Sequence, residues 1–262
     1  MHPALWTGKT GLQAMDTKMS TISNNLANVN TVGFKRNRAV FEDLLYQAIR
    51  MPGAQNGGDN QLPTGLQLGV GVRVTATQRE FTTGSLDITN QPLDLAINGR
   101  GFFRLQSPDG QEVYTRNGQF SLDNEGRIVN SNGLPLEPEI VVPENTNSIT
   151  IARDGTVVVS RADQPNQLQQ IGQIDVVDFI NPAGLLAVGN NIFQETDGSG
   201  APIQGIGGEG GFGRIEQNTL ELSNVSAVEE LVDMITTQRA YEMNTKVVSS
   251  ADDMLRNLTQ TL

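Results

Sequence analysis

Residues able to do catalytic chemistry are few in this chain, and their spacing is unfavourable. Its single histidine is His2, next to the first residue, and it has no cysteine. A Ser–His–Asp triad or a histidine metal centre needs an imidazole held by packed structure, which position 2 does not offer. Thiolate catalysis and disulfide staples are excluded by composition. Carboxylates remain: Asp87 with Asp94, or Glu112 with Asp123, are pairs that could flank a glycosidic bond. A periplasmic module that binds or cleaves the cell wall is therefore the enzymatic alternative. Against it, the aspartates of "PDG" (108–110) and "RDG" (153–155) are what tight turns select. "GIGGEGGFG" (205–213) lacks the Lys–Ser/Thr and the following helix of a phosphate loop. It reads as a connector leading back to the terminal segments. "DNEG" (123–126) lacks the rest of a calcium loop. No catalytic, cofactor-binding or metal-binding residue is assigned, and the chain reads as a non-enzyme.

The rest of the composition is lean in charge and rich in neutral polar groups. Charged residues make up 18% and aromatics 5%, while there are 28 glycines. The net charge of −11 argues against a nucleic-acid partner, which requires a basic face. "KRNR" (35–38) is the one basic cluster and reads as a solvated surface. No run of eighteen apolar residues occurs, so no membrane span is expected. "MHPALWTGKTGLQAM" lacks the basic-then-apolar order of a cleavable signal peptide. The expectation is residence in the cytoplasm or export by a route that cleaves no signal.

Two helices are expected to bracket a β-rich middle. Leu5, Leu12, Met19 and Leu26 recur every seven residues, and Met15, Ile22 and Val29 fill the intermediate positions. This is a heptad seam, with Gly8 as its weak point. A second helix begins after "SNVS", where Ser226 and Glu229 have capping-box spacing. Its apolar stripe runs Val228, Leu231, Ile235, Tyr241, Val248, Ala251, Leu255, Leu258 and Leu262. Between the helices, Leu66, Leu68, Val70, Val72 and Val74 alternate as in a half-buried strand. Turn signals then follow about every ten residues, as in a compact all-β domain. The fold class expected is α+β, mainly β, with two long terminal α-helices forming a coiled-coil-like tube domain around a central all-β domain. The expected divisions are 1–33 with 224–262 (helical), 34–75 with 205–223 (extended connection) and 76–204 (all-β).

"TISNNLANVN" (21–30) places four asparagines near the end of the first helix, where each costs about 0.5–0.7 kcal/mol relative to Ala. The outward positions Thr10, Thr17, Thr21, Asn24 and Asn28 are also neutral, unlike a solvent-facing helix surface. Such a face suits contact with other protein, because amides donate and accept without desolvating an ion. Assembly is thus favoured over an isolated helical hairpin, which is marginal alone. Asn24, Asn25, Asn28 and Asn30 are expected to bond neighbouring subunits or to end the helix before "TVGFK", with Gly33 serving the turn. The more charged second helix is expected to line an aqueous lumen.

These segments have a familiar counterpart. "SNNLANVNTVGFK" (23–35) resembles the signature of the flagellar axial proteins, the rod and hook family. "SNVSAVEELVDMITTQRAYEMNTKVVSSADDMLRNL" (223–258) resembles the family's C-terminal counterpart. "DLAINGRGFFRLQSPDGQEVYTRNGQFSLDNEGRIVNSNGLPLEP" (94–138) is similar to the β segment its members share. "RAVFEDLLYQAIRMPGAQ" (38–55) and "GLQLGVGV" (65–72) resemble most the members that build the distal rod, with proximal rod and short hook members as the alternative. The resemblance implies a self-assembling subunit of a hollow drive shaft crossing the periplasm, exported by the flagellar type III apparatus. Its implied neighbours are copies of itself, the proximal rod, the hook and, weakly, the surrounding P and L rings. Subunit contacts are expected at Leu5, Leu12, Met15, Met19, Ile22, Asn24, Asn25, Leu26, Asn28, Val29, Leu231, Ile235, Tyr241, Val248, Leu255 and Leu258. A stiffening role is expected for the stretch marked by Tyr46, Arg50, Pro52, Gln55 and Pro63.

Overall fold

The computed structural model describes residues 3–51, 64–161 and 164–260. The chain is α+β and mainly β, and it divides into two compact units. The first unit gathers residues 1–27, 37–78 and 226–262. The second gathers 28–36 and 79–225.

In the first unit, helix α1 (Pro3–Ala27) precedes the strands β1 (Asn37–Asp43), β2 (Tyr46–Arg50), β3 (Leu66–Gly69) and β4 (Val72–Arg79), and helix α2 (Ala227–Gln260) follows. β1 pairs with β4 and β2 with β3, two ladders that follow one another in a two-stranded ribbon interrupted at Leu44–Leu45 and Val70–Gly71. The alternating segment 66–74 is two strands rather than one. Gly71 breaks it, because its backbone lies so close to Thr10 that a Cβ there would run into the hydroxyl. α1 ends at Ala27 and turns through the asparagines: the Thr31 N–H donates to the Asn28 carbonyl at 3.2 Å. α2 begins directly after Ser226, whose carbonyl accepts from the Glu230 N–H at 3.0 Å.

The second unit adds β5 (Leu86–Ile88), β6 (Leu95–Asn98), β7 (Phe102–Gln106), β8 (Glu112–Thr115), β9 (Phe120–Leu122), β10 (Ile128–Asn130), β11 (Thr146–Ile151), β12 (Thr156–Arg161), β13 (Gln164–Gln173), β14 (Val176–Asp178), β15 (Leu186–Gly189), β16 (Ile192–Gln194), β17 (Ile203–Gly205), β18 (Arg214–Gln217) and β19 (Thr219–Glu221). Its largest sheet has the order β15-β16-β8-β7-β14-β17, and its strand pairs are antiparallel. β11-β12-β13 form a second sheet, and β18 and β19 return to pair with β6 and β5. Leu95, Ile97, Phe103, Leu105, Ile128, Val157, Ile174, Val176 and Ile215 fill one core. Phe102, Tyr114, Phe179 and Phe193 form a second, edge-to-face aromatic core. "GIGGEGGFG" is not a loose connector. It reverses the chain between β17 and β18, and Phe212 packs against the first core.

Candidate assembly interface

The helices of the first unit run antiparallel, with their contact made by small and polar residues. A Cβ on Gly8 would sit 2.5 Å from Val248 Cγ2, and one on Gly11 would sit 3.3 Å from Asn244 Nδ2. Ala14, Ile22 and Asn25 of α1, and Glu230, Thr237 and Ala251 of α2, are buried. Gly8 is thus the point of close approach, not a weak point in the seam.

This choice of face leaves large apolar side chains uncovered. Leu5, Leu12, Met15, Met19, Leu26 and Val29 are half-buried. On α2, Val248 and Leu255 are half-buried, whereas Leu231, Ile235 and Tyr241 are exposed, together with Val228, Val232, Met243, Val247 and Met254. The apolar positions of α2 therefore lie on two faces rather than one stripe, and only one of them meets α1. The side chain of Leu258 lies outside the described residues. So do Pro52, Gln55 and Pro63, while Tyr46 and Arg50 are exposed on the ribbon. Leu45, Ile49, Met51, Leu66 and Leu68 share that exposure. These apolar side chains are open to solvent in the single chain.

The asparagines divide their work. Asn24 is exposed and Asn28 half-buried. Asn25 is only 1% exposed, and its amide is committed within its own chain. Its Oδ1 accepts from the Asn37 N–H at 2.9 Å, and its Nδ2 donates to the Asn37 carbonyl at 2.9 Å and to Glu230 Oε2 at 3.2 Å. Thr10 is buried against the ribbon, so part of the neutral Thr face serves the chain's own strands.

"TVGFK" does its work inside the second unit. Lys35 Nζ donates to Glu221 Oε1 at 2.7 Å and to the Thr82 carbonyl at 2.7 Å, with neither charged side chain exposed. Arg116 Nη1 donates to Glu221 Oε2 at 3.2 Å and to the Ile97 carbonyl at 3.1 Å, and its Nη2 donates to the Gly99 carbonyl at 2.6 Å. The Gly33 N–H donates to the Glu221 carbonyl at 2.8 Å. The basic cluster is thus not simply a solvated surface: Lys35 is buried because a carboxylate from β19 waits for it. Sequence reasoning missed Lys35, Arg116, Glu221 and Glu230. The available signal was Glu221 itself, an acid between Leu220 and Leu222.

Burial lowers the Lys35 ammonium to about 8 from 10.5, against the opposing pull of Glu221 and with help from Arg116. The folded chain therefore binds fewer protons than the unfolded chain between about pH 8 and 10.5. The destabilisation from holding this ammonium dry is fully present below about pH 8 and is relieved as pH rises. Tyr114, whose hydroxyl is held above its ordinary range by burial and by Glu112, stays protonated across this window. We expect the wild type to gain stability relative to Lys35→Met between pH 8 and 10, with a slope of up to about 1.4 kcal/mol per pH unit. Urea unfolding of both chains across that range measures it, and a flat difference would contradict it.

Of the carboxylates considered for glycoside chemistry, Glu112, Asp94 and Asp123 have structural partners, and Asp87 is exposed. Glu112 accepts from the Tyr114 hydroxyl at 2.9 Å and from Arg104 at 3.2 Å, and Asp94 accepts from the Thr89 hydroxyl. Asp123 borders a cleft of about 520 Å³, but its hydrogen bond from Arg127 holds its carboxyl below the usual range. A general acid needs the opposite shift. Among the described residues, no three His, Asp or Glu side chains are grouped to hold a metal. Among the same residues, no helix is long and apolar enough to cross a membrane.

Residues 5–35 match the family described as flagella basal body rod protein. Residues 96–159 match the flagellar hook protein FlgE/F/G D1 domain, and 216–261 match the flagellar basal body rod FlgEFG protein C-terminal region. The chain is 51% identical over 262 residues to the flagellar basal-body rod protein FlgG of Buchnera aphidicola from Acyrthosiphon pisum, covering 99% of this chain and 100% of that one. It is 47% identical to the protein of the same name from Borreliella burgdorferi, covering 97% of each chain. The Caulobacter vibrioides protein of that name is also 47% identical, with 98% of each chain covered.

Proposed function

The chain belongs to the flagellar basal-body rod protein family, of the FlgG type, and from that premise we propose that it is a structural subunit of the distal rod. It polymerises helically into the hollow shaft that carries torque from motor to hook, and it performs no catalysis. The observation that carries this reading is the apolar surface left open on α2 and on the ribbon, in a chain whose full length matches rod proteins. Fully burying one Leu, Ile, Val or Met contributes about 1.5–3 kcal/mol, and only neighbouring copies supply the cover. Its neighbours are like subunits, the proximal rod and the hook. The surrounding rings touch it weakly, since a turning shaft cannot bind its bushing tightly. The flagellar type III apparatus exports it to the periplasmic section of the basal body. The helices form the polymer's inner layer, and the ribbon, with the stretch from Tyr46 to Pro63, stiffens the shaft by tying adjacent copies.

Ile235→Asp tests this reading, because Ile235 is 51% exposed in the single chain. In the parent bacterium the variant should stop basal bodies short of a complete rod, while thermal melting of the purified chain's β unit stays unchanged. Full-length rods assembled from the variant would refute the interface. Zymography on peptidoglycan separates the wall-cleaving alternative, for which clearing by the purified chain would speak.

A further inference from the structure

The ribbon is fastened to α1 at two points. At one end, Asn25 stands in for a strand: its carboxamide accepts from the Asn37 N–H and donates to the Asn37 carbonyl, both at 2.9 Å. That is the pair of bonds an antiparallel neighbour would exchange with Asn37. The remaining amide proton goes to Glu230 in the first turns of α2. At the other end, the Thr10 hydroxyl fills the space against Gly71 and accepts from the Val72 N–H at 3.4 Å. Leu44, opposite, donates its N–H to the Gly71 carbonyl.

The two spacings agree. From Asn25 back to Thr10 the helix rises about 22 Å at 1.5 Å per residue, and from Asn37 to Leu44 a strand advances about 23 Å at 3.3 Å per residue. The ribbon therefore lies along α1 between its fastenings. Beyond Leu44 it projects, and that projecting part holds the exposed Leu45, Tyr46, Ile49, Met51, Leu66 and Leu68. From Leu44 to Arg50, the end of β2, this second ladder extends about 20 Å.

We propose that Asn25 and the Thr10–Gly71 contact form a two-point mount that aims the projecting apolar end of the ribbon at a neighbouring copy. Asn25 is a positioning residue, acting on the subunit contact through the ribbon. Aspartate cannot replace it, because it has no donor for the Asn37 carbonyl and would face the Glu230 carboxylate. This inference rests on the assembly reading above.

The absence of cysteine allows single-cysteine reporters. Ile49→Cys reports the projecting end and Met243→Cys reports α2, each followed by maleimide labelling of isolated basal bodies. With Asn25→Ala or Thr10→Val we expect the ribbon reporter to label about tenfold faster, as for a locally released segment, and the α2 reporter to keep its rate. Ser23→Ala, at an exposed neighbouring position, should change neither. Equal labelling of the ribbon reporter with and without the Asn25 substitution would overturn the proposal. Where Asn25→Ala yields no rods, Asn25→Asp with and without Glu230→Gln decides. The double variant restores the contact with Glu230 but not the donor to the Asn37 carbonyl, so absence of rods in both variants upholds the mount, and rods in the double variant with the parental labelling rate at Ile49→Cys overturn it. Failure of the unsubstituted chain to appear in rods would instead refute the assembly reading.

Discussion

Glu221→Gln destabilises the β unit by about 3–5 kcal/mol, the cost of removing one partner from a buried ion cluster. The Glu221 side chain is wholly buried and accepts from Lys35 at 2.7 Å, Arg116 at 3.2 Å and the Gly84 N–H at 2.9 Å. Glutamine keeps the shape and one acceptor but loses the charge, so two cations remain in a dry interior. Backbone carbonyls of Thr82, Ile97 and Gly99 solvate them only in part. Against a total stability of about 5–15 kcal/mol, this leaves the unit close to unfolding at 37 °C. Denaturant unfolding with an unchanged m value measures it. The companion variant Glu221→Leu with Lys35→Met should recover part of the loss, since Arg116 is then the one cation left without its carboxylate, with the Gly84 N–H losing its acceptor. A change below about 1 kcal/mol for Glu221→Gln would show that the cluster is far wetter than its burial indicates.

Gly33→Ala should cost about 3 kcal/mol, from two sources. Gly33 has φ +70°, where a side chain costs about 1–2 kcal/mol. A Cβ there would also lie 2.7 Å from the backbone carbon of Arg116 and from the N of Asn117. Neither atom can yield without moving the strand end that carries Arg116, and overpacking of that kind adds about 1–3 kcal/mol. The displaced turn would also pull the Gly33 N–H from the Glu221 carbonyl. Gly110 provides the control: its φ is +76°, but no atom lies within 4 Å of its Cβ position. Gly110→Ala should therefore show the conformational part alone, about 1–2 kcal/mol. Equal losses at both positions would remove the steric part of the argument.

Much of the fold follows from local rules. The α2 start after Ser226 and the α1 end at the asparagines are set by residues within a turn of each boundary. The β-rich middle follows from short apolar runs punctuated by Gly, Asn and Asp, each of which acts over two to four residues. The heptads of α1 show that one helix face must be covered. These features are determined by neighbours in sequence, so the sequence alone contains them.

Other features depend on which distant groups meet. Lys35 and Glu221 are 186 residues apart, and an ion pair closed over that distance leaves no period in either segment. The same holds for Asn25 and Glu230, 205 residues apart. Periodicity showed two apolar helices, but not that they would join through Gly8, Gly11 and Ala14, leaving Leu231 and Ile235 outward. A helix presents several faces at once, and the partner that approaches most closely takes one of them; sequence sets the faces, and only tertiary packing chooses among them.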